Sequence, residues 1–220
     1  MDLYLVRHGE SDIPEDAVQT DFPLSPLGRE QAARLGQRFA KRTIDHLITT
    51  PYRRTQETAQ AIAAATGVRA IEEPGLGAVD PGDLGRTPFS QRKQRWPEYY
   101  KNPSPLQDYT PFGGEGPNAF FERVTEAFVE RIWDRHRDEK TNVVVVCHGE
   151  TINAILLHLL GIPFEGWLYF SIDHTSVSWV DVRLGRPRIR FVNDTSHLGD
   201  LSRGHRGMRG GEAPRYDQRV

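Results

Sequence analysis

LYLVRHGES at residues 3–11 and VVVVCHGET at residues 143–151 decide the fold, because each is a short apolar run that ends in His-Gly-Glu and a hydroxyl residue. Both runs are continuous rather than alternating and too short for helices, so they read as buried strands of a mostly parallel sheet. His8 and His148 then emerge on the same edge of that sheet. If the two strands are neighbours, the usual interstrand spacing of roughly 4.8 Å lets both imidazoles face one small ligand. A glycine after each histidine permits a sharp exit and close approach of that ligand.

Working outward, Ser25 and Pro26 form a helix N-cap followed by proline at the first helical position. Ala32, Leu35, Gly36 and Phe39 continue at helical spacing, so a helix is predicted over 26–42. A short strand follows around 46–49. Thr50 and Pro51 then repeat the start signal, with Ala59, Ile62, Ala63 and Thr66 on one face and Gly67 as the stop. The proline- and aromatic-rich stretch 73–116 cannot be one regular element and reads as a long excursion, with 86–116 lying over the pocket. Phe121, Val124, Phe128 and Ile132 mark a helix over 118–137, Asn142 opens the second strand, 151–160 reads as a helix, and 176–182 and 188–192 read as closing strands.

This alternation predicts an α/β fold, a three-layer sandwich whose mostly parallel central sheet is covered by helices on both faces. In such sheets ligands sit at the carboxyl ends of strands near a switch in strand order, where both His-Gly motifs fall. One domain is expected over 1–198. The remaining 199–220 carries five Arg, five Gly and three acids and reads as a frayed tail.

Composition narrows the function. The 220 residues hold 28 Lys+Arg against 30 Asp+Glu, a net charge of −2, which disfavours a globally basic nucleic-acid binder and makes any anion site a local one. No apolar run approaches the roughly 18 residues of a membrane span, and MDLYLVRH resembles neither a signal nor a transit peptide. The single cysteine, Cys147, excludes an internal disulfide framework and a multi-cysteine zinc cage, and core packing accounts for it. A cytoplasmic location is the expectation. His46, His136, His158, His174, His197 and His205 form no metal-ligand spacing with carboxylates, and no metal or cofactor is expected.

Arg7 adjoins His8, and Arg53 and Arg54 fall in the first turn of the helix opened by Thr50 and Pro51. A helix N-terminus offers free N–H groups, and a guanidinium matches phosphate oxygens two at a time, so these parts suit a dianion pocket. Arg53 and Arg54 cannot both point inward.

LVRHGES, DFPLSPLGREQA at 21–32, TPYRRTQETA at 50–59, VVCHGET at 145–151 and NDTSHL at 193–198 together resemble the histidine phosphatase superfamily, the phosphoglycerate mutase-like group, over roughly residues 1–198. The resemblance selects Arg54 over Arg53. It implies that His8 attacks a phosphomonoester to form a phosphohistidine that water then cleaves, with Arg7, Arg54 and His148 holding the transferred oxygens. Glu10 and Ser11, which follow the first His-Gly, are carried over as substrate-binding candidates.

Two departures stand out. GLGAVDPG at 75–82 puts Ala78 where the family's LxExDFG pattern carries the Glu that protonates the leaving alkoxide. Asp80, Asp83 and Glu115 (in GGEG, like the family's GGES) are the available substitutes; Asp80 is preferred as the acid, and Glu115 is also a candidate for substrate contact. Pro14 stands where mutases of the family usually carry Asn. The expected activity is therefore hydrolysis of a small phosphorylated metabolite, with a mutase, a phosphoprotein phosphatase and a weakly catalytic phosphate-binding module as alternatives. Phe89, Trp96, Tyr99, Tyr100, Tyr109 and Phe112, with Arg92, Lys93 and Arg95, either shape the substrate pocket or pack the excursion down.

Overall fold

A computed structural model describes residues 1–14, 21–101, 108–164 and 168–201. Its centre is the pair of strands read from the sequence, β1 (Asp2–Arg7) and β4 (Asn142–Cys147), which run parallel with Leu3 opposite Val143 and Arg7 opposite Cys147. Around them lie β2 (His46–Thr49), β3 (Ala70–Glu72), β5 (Val177–Arg183) and β6 (Arg186–Asp194), in the order β3-β2-β4-β1-β5-β6. β2 is parallel to β3 and β4, while β5 is antiparallel to β1 and β6. The sheet is thus six-stranded, mixed and mostly parallel.

The continuous apolar pattern follows from this position. Leu3, Leu5, Val143, Val145 and Cys147 face one core layer under α5 (Pro117–Phe128) and α7 (Gly149–Leu160). Tyr4, Val6, Val144 and Val146 face the other layer, with Leu35 and Phe39 of α1 (Pro26–Phe39) and Ala59 and Ile62 of α2 (Arg53–Thr66). The expected three-layer α/β fold is the one observed. Each fully buried aliphatic side chain contributes about 1.5–3 kcal/mol of burial free energy, so these two layers are the main source of stability.

Several boundaries differ. α1 begins at Pro26 with Ser25 Oγ accepting the Gly28 amide at 2.9 Å, but it ends at Phe39 rather than 42, and the Arg42 guanidinium lies over the Tyr4 ring. The helix expected over 118–137 is interrupted by a π-helical turn at Val129–Trp133 before a last short piece, α6 (Asp134–His136). Phe120, Val124, Phe128 and Ile132 are its buried positions. A strict four-residue repeat drifts by about 40° per step on a 3.6-residue helix, and the widened turn takes up that drift so that Ile132 still faces the core. Phe121 instead stacks on Phe164.

Between β3 and α5 the chain forms short 3-10 turns and two short helices, α3 (Phe89–Arg95) and α4 (Pro97–Lys101). Trp96 and Tyr99 both pack edge-on against Phe112, at 5.0 Å between ring centroids, and Arg95 covers Trp96. These rings hold the excursion together. At the other end the chain continues past 198 in a 3-10 segment to Leu201, where Arg34 bonds the Leu198 carbonyl and Asp200. The rest of the expected tail, 202–220, lies outside the described residues. No helix among the described residues is long and apolar enough to cross a membrane.

Candidate active site

The register of β1 and β4 brings the two histidines side by side: the His8 amide donates to the Cys147 carbonyl at 3.0 Å, and the two imidazole centroids are 5.3 Å apart. Both rings are buried, His8 at 8% and His148 at 1% exposure. Gly9 then turns the chain against α1, where a Cβ would stand 2.7 Å from the Gly28 carbonyl oxygen. Close packing on the helix accounts for that glycine.

Arg54 joins the two rings. Its Nε lies 3.3 Å from His8 Nε2 and its Nη2 lies 3.3 Å from His148 Nδ1. A guanidinium has only donors, so both of these ring nitrogens carry lone pairs. The protons must then sit on the opposite nitrogens. His8 Nδ1–H donates to the Gly9 carbonyl at 2.7 Å, and His148 Nε2–H donates to Thr50 Oγ1 at 3.1 Å. His8 is thereby fixed as the tautomer whose Nε2 lone pair can attack an electrophile. Burial, and then the positive surroundings of His148, Arg54 and Arg7, hold His8 well below the usual histidine range. Burial, followed by Arg54 and Arg7, does the same to His148.

Arg7 has a donor to spare. Its Nη1 donates to the Ile172 carbonyl at 2.6 Å, while its Nε is buried and without a partner among the described residues. A buried guanidinium N–H left unpaired is costly, and a phosphate oxygen would satisfy it. Thr58 Oγ1 accepts the Gly9 amide at 3.0 Å and donates to the Arg54 carbonyl at 2.7 Å, which locks the His8 loop to α2. Arg53 points the other way, 56% exposed and 3.9 Å from Glu57.

Thr50 was expected as the N-cap of α2, but the helix starts at Arg53, and Asp21 Oδ1 accepts the Arg53 amide at 2.7 Å. The Thr50 hydroxyl serves His148 and contacts Thr55 Oγ1 at 2.8 Å. Thr50→Val keeps the shape and strands the His148 Nε2–H. The expected result is a loss of about tenfold in kcat, the kinetic equivalent of one neutral hydrogen bond, and about 1–3 kcal/mol of stability by denaturant titration.

The other sequence candidates fall in three places. Glu10 accepts from Ser25 Oγ at 2.9 Å and so braces the α1 N-terminus, and the Ser11 hydroxyl is buried without a partner among the described residues. Ala78, Asp80 and Glu115 line a cleft of about 670 Å³ with Asp21, Tyr52 and Arg123. There Asp80 Oδ1 accepts the Gly82 amide, and Arg123 pairs with both oxygens of Glu115 at 2.8 Å. Asp83 is exposed beside Arg86. Cys147 is fully buried, and burial pushes its thiol far up.

Sequence reasoning passed over three residues that the fold brings to the centre. His174 stands on the other side of His8, with ring centroids 5.6 Å apart, so imidazoles from three neighbouring strand ends form a row. Tyr52 meets His148 edge-on at 5.0 Å and lies under the Arg54 guanidinium at 4.6 Å. Arg123 binds the carbonyls of Gly75 and Ala78 and so fixes the cleft wall. Only Tyr52 carried a local hint, through its place between Pro51 and the two arginines.

Known proteins share this arrangement. The pattern of the histidine phosphatase superfamily (branch 1) matches residues 3–195. Phosphoserine phosphatase 1 of Hydrogenobacter thermophilus is 31% identical over 203 residues, covering 90% of this chain and 95% of that protein. A probable phosphoglycerate mutase GpmB of Serratia proteamaculans is 29% identical, with 82% and 85% coverage. Among solved structures, Bacillus stearothermophilus YhfR superposes with a TM-score of 0.77 at 27% identity, over 90% of this chain and 98% of that one. Five motifs in order, two histidines in register and a family pattern spanning nearly the whole described chain lead to one conclusion: this protein belongs to branch 1 of the histidine phosphatase superfamily.

Proposed function

We propose that the protein hydrolyses a small organic phosphomonoester through a phosphohistidine at His8, without metal or cofactor. The observation that carries this reading is the His8 Nε2 lone pair, fixed by the Gly9 carbonyl and facing Arg54. In the reaction His8 Nε2 attacks phosphorus as the ester oxygen departs, and water then displaces the histidine. Arg54 and Arg7 meet the three charged oxygens, and charge stabilisation of this kind is the main catalytic term in phosphoryl transfer. His148 gains a proton as the dianion arrives and donates to it through Nδ1.

The cleft supports a hydrolase over a phosphoglycerate-type mutase. Its walls carry Asp21, Asp80 and Glu115 against Arg123, which is already paired with Glu115. A substrate tail bearing its own carboxylate would be repelled there, whereas a neutral or amine-bearing tail fits. Asp80, the acid preferred from the sequence, lines this cleft. Ala78 favours a second reading, a phosphate-ligand binding module that turns over slowly.

Inorganic phosphate release from neutral, amine-bearing and carboxylate-bearing monoesters tests the proposal in chelator-containing buffer. Hydrolysis is expected, with carboxylate-bearing esters the poorest substrates. Phosphoglycerate isomerisation faster than phosphate release would overturn it in favour of a mutase, and tight phosphate binding without turnover would support the binding module.

A further inference from the structure

Resting on that reaction, we infer that the Tyr52 hydroxyl is the proton donor to the leaving group, standing in for the carboxyl group absent at Ala78. Three geometric observations converge on it. Tyr52 touches His148 and Arg54, two of the groups around the proposed phosphoryl site. It lines the same cleft as Ala78. Its ring also packs on the chain beside Ala78, since a Cβ on Gly77 would meet Tyr52 Cε2 at 3.2 Å. The phenol ring therefore borders the cleft wall next to the alanine. Its hydroxyl makes no hydrogen bond among the described residues.

The chemistry balances. As His8 Nε2 bonds phosphorus and the P–O ester bond breaks, the departing oxygen keeps the electron pair and takes the Tyr52 proton. The resulting phenolate lies beside the Arg54 guanidinium. In the second half, water bonds phosphorus as the N–P bond breaks, its proton returns to the phenolate, and phosphate leaves. Burial raises the affinity of Tyr52 for its proton more than Arg54 and Arg123 lower it, so the hydroxyl stays protonated before the reaction. It is still a far stronger acid than an alkanol.

The other candidates are less well placed. Asp80 is exposed and spends Oδ1 on the Gly82 amide, and Glu115 is held on both oxygens by Arg123. Glu150, in the first turn of α7, interacts electrostatically with Arg7 and Arg54 and is not among the residues that line the cleft.

Tyr52→Phe keeps the ring under Arg54 and removes only the hydroxyl. An alkyl ester needs a proton on its leaving oxygen and a para-nitrophenyl ester does not. The ratio of kcat/KM for para-nitrophenyl phosphate to kcat/KM for an alkyl phosphate is therefore expected to rise about 100-fold in Tyr52→Phe, with a steeper dependence on leaving-group pKa. An unchanged ratio, or the same rise in Asp80→Asn or Glu150→Gln instead, would overturn the assignment while leaving phosphohistidine hydrolysis intact. If wild type cleaves neither ester by a His8-dependent route, the assignment falls together with the proposed function.

Discussion

His8→Ala is expected to abolish phosphate release, with a fall on the order of 10⁴-fold or more in kcat and no phosphoryl adduct in the intact mass of acid-quenched protein. The size of the effect comes from losing the attacking atom itself. Folding should survive, because among the described residues the His8 side chain makes one hydrogen bond beyond Arg54, to the neighbouring Gly9 carbonyl. Phosphate binding should survive too. Arg7 Nε, buried and without a partner among the described residues, remains as a donor for the anion. Calorimetric titration with inorganic phosphate checks the second half of this expectation. Turnover within about tenfold of wild type would place the attack on another group.

Arg54→Met is the second large effect. Methionine keeps the length and apolar stem but removes both donors, so a fall of about 10³-fold in kcat/KM is expected, as for arginines that meet transition-state charge in other phosphoryl transfers. A pH profile gives an independent signature. Arg54 is one of the positive neighbours that, after burial, hold His8 and His148 below their ordinary value of 6.5. Removing it lets both rise toward that value. The nucleophile must be neutral, so the acid limb of kcat/KM moves to higher pH. Arg53→Met is the matched comparison, expected to leave both the rate and the profile unchanged because Arg53 faces solvent beside Glu57. An equal loss in both variants would assign the effect to the helix start instead of the guanidinium.

What could be read from the chain beforehand follows from which interactions are local. β1 and β4 are buried on both faces, so four consecutive valines and LYLV announce themselves without any knowledge of partners. Ser25 and Pro26 fix the start of α1 through bonds within three residues. By contrast, β3 has three residues, two of them exposed, and offers no hydrophobic signal of its own. Thr50 carries the right chemistry for a cap, and only the distant placement of Asp21 and His148 redirects it. The cleft is less local still. Its walls come from 74–80 and 113–115, tied by the bond from the Glu115 amide to the Asp80 carbonyl, and no periodicity encodes such a closure. Tyr52 and His174 likewise owe their places beside His8 and His148 to long-range assembly.

The strand register described above separates two lifetimes within the molecule. The spacing between the His8 and His148 imidazoles is inherited from the central backbone ladder, which continues through the His8 amide and opens only when the whole sheet does. The cleft walls rest on short turns and a few side-chain bonds and can open on their own. On the proposed reading, chemistry is thus carried by the most persistent part of the fold and substrate choice by one of the least, so the walls could be remodelled while the distance between the two imidazoles stays fixed.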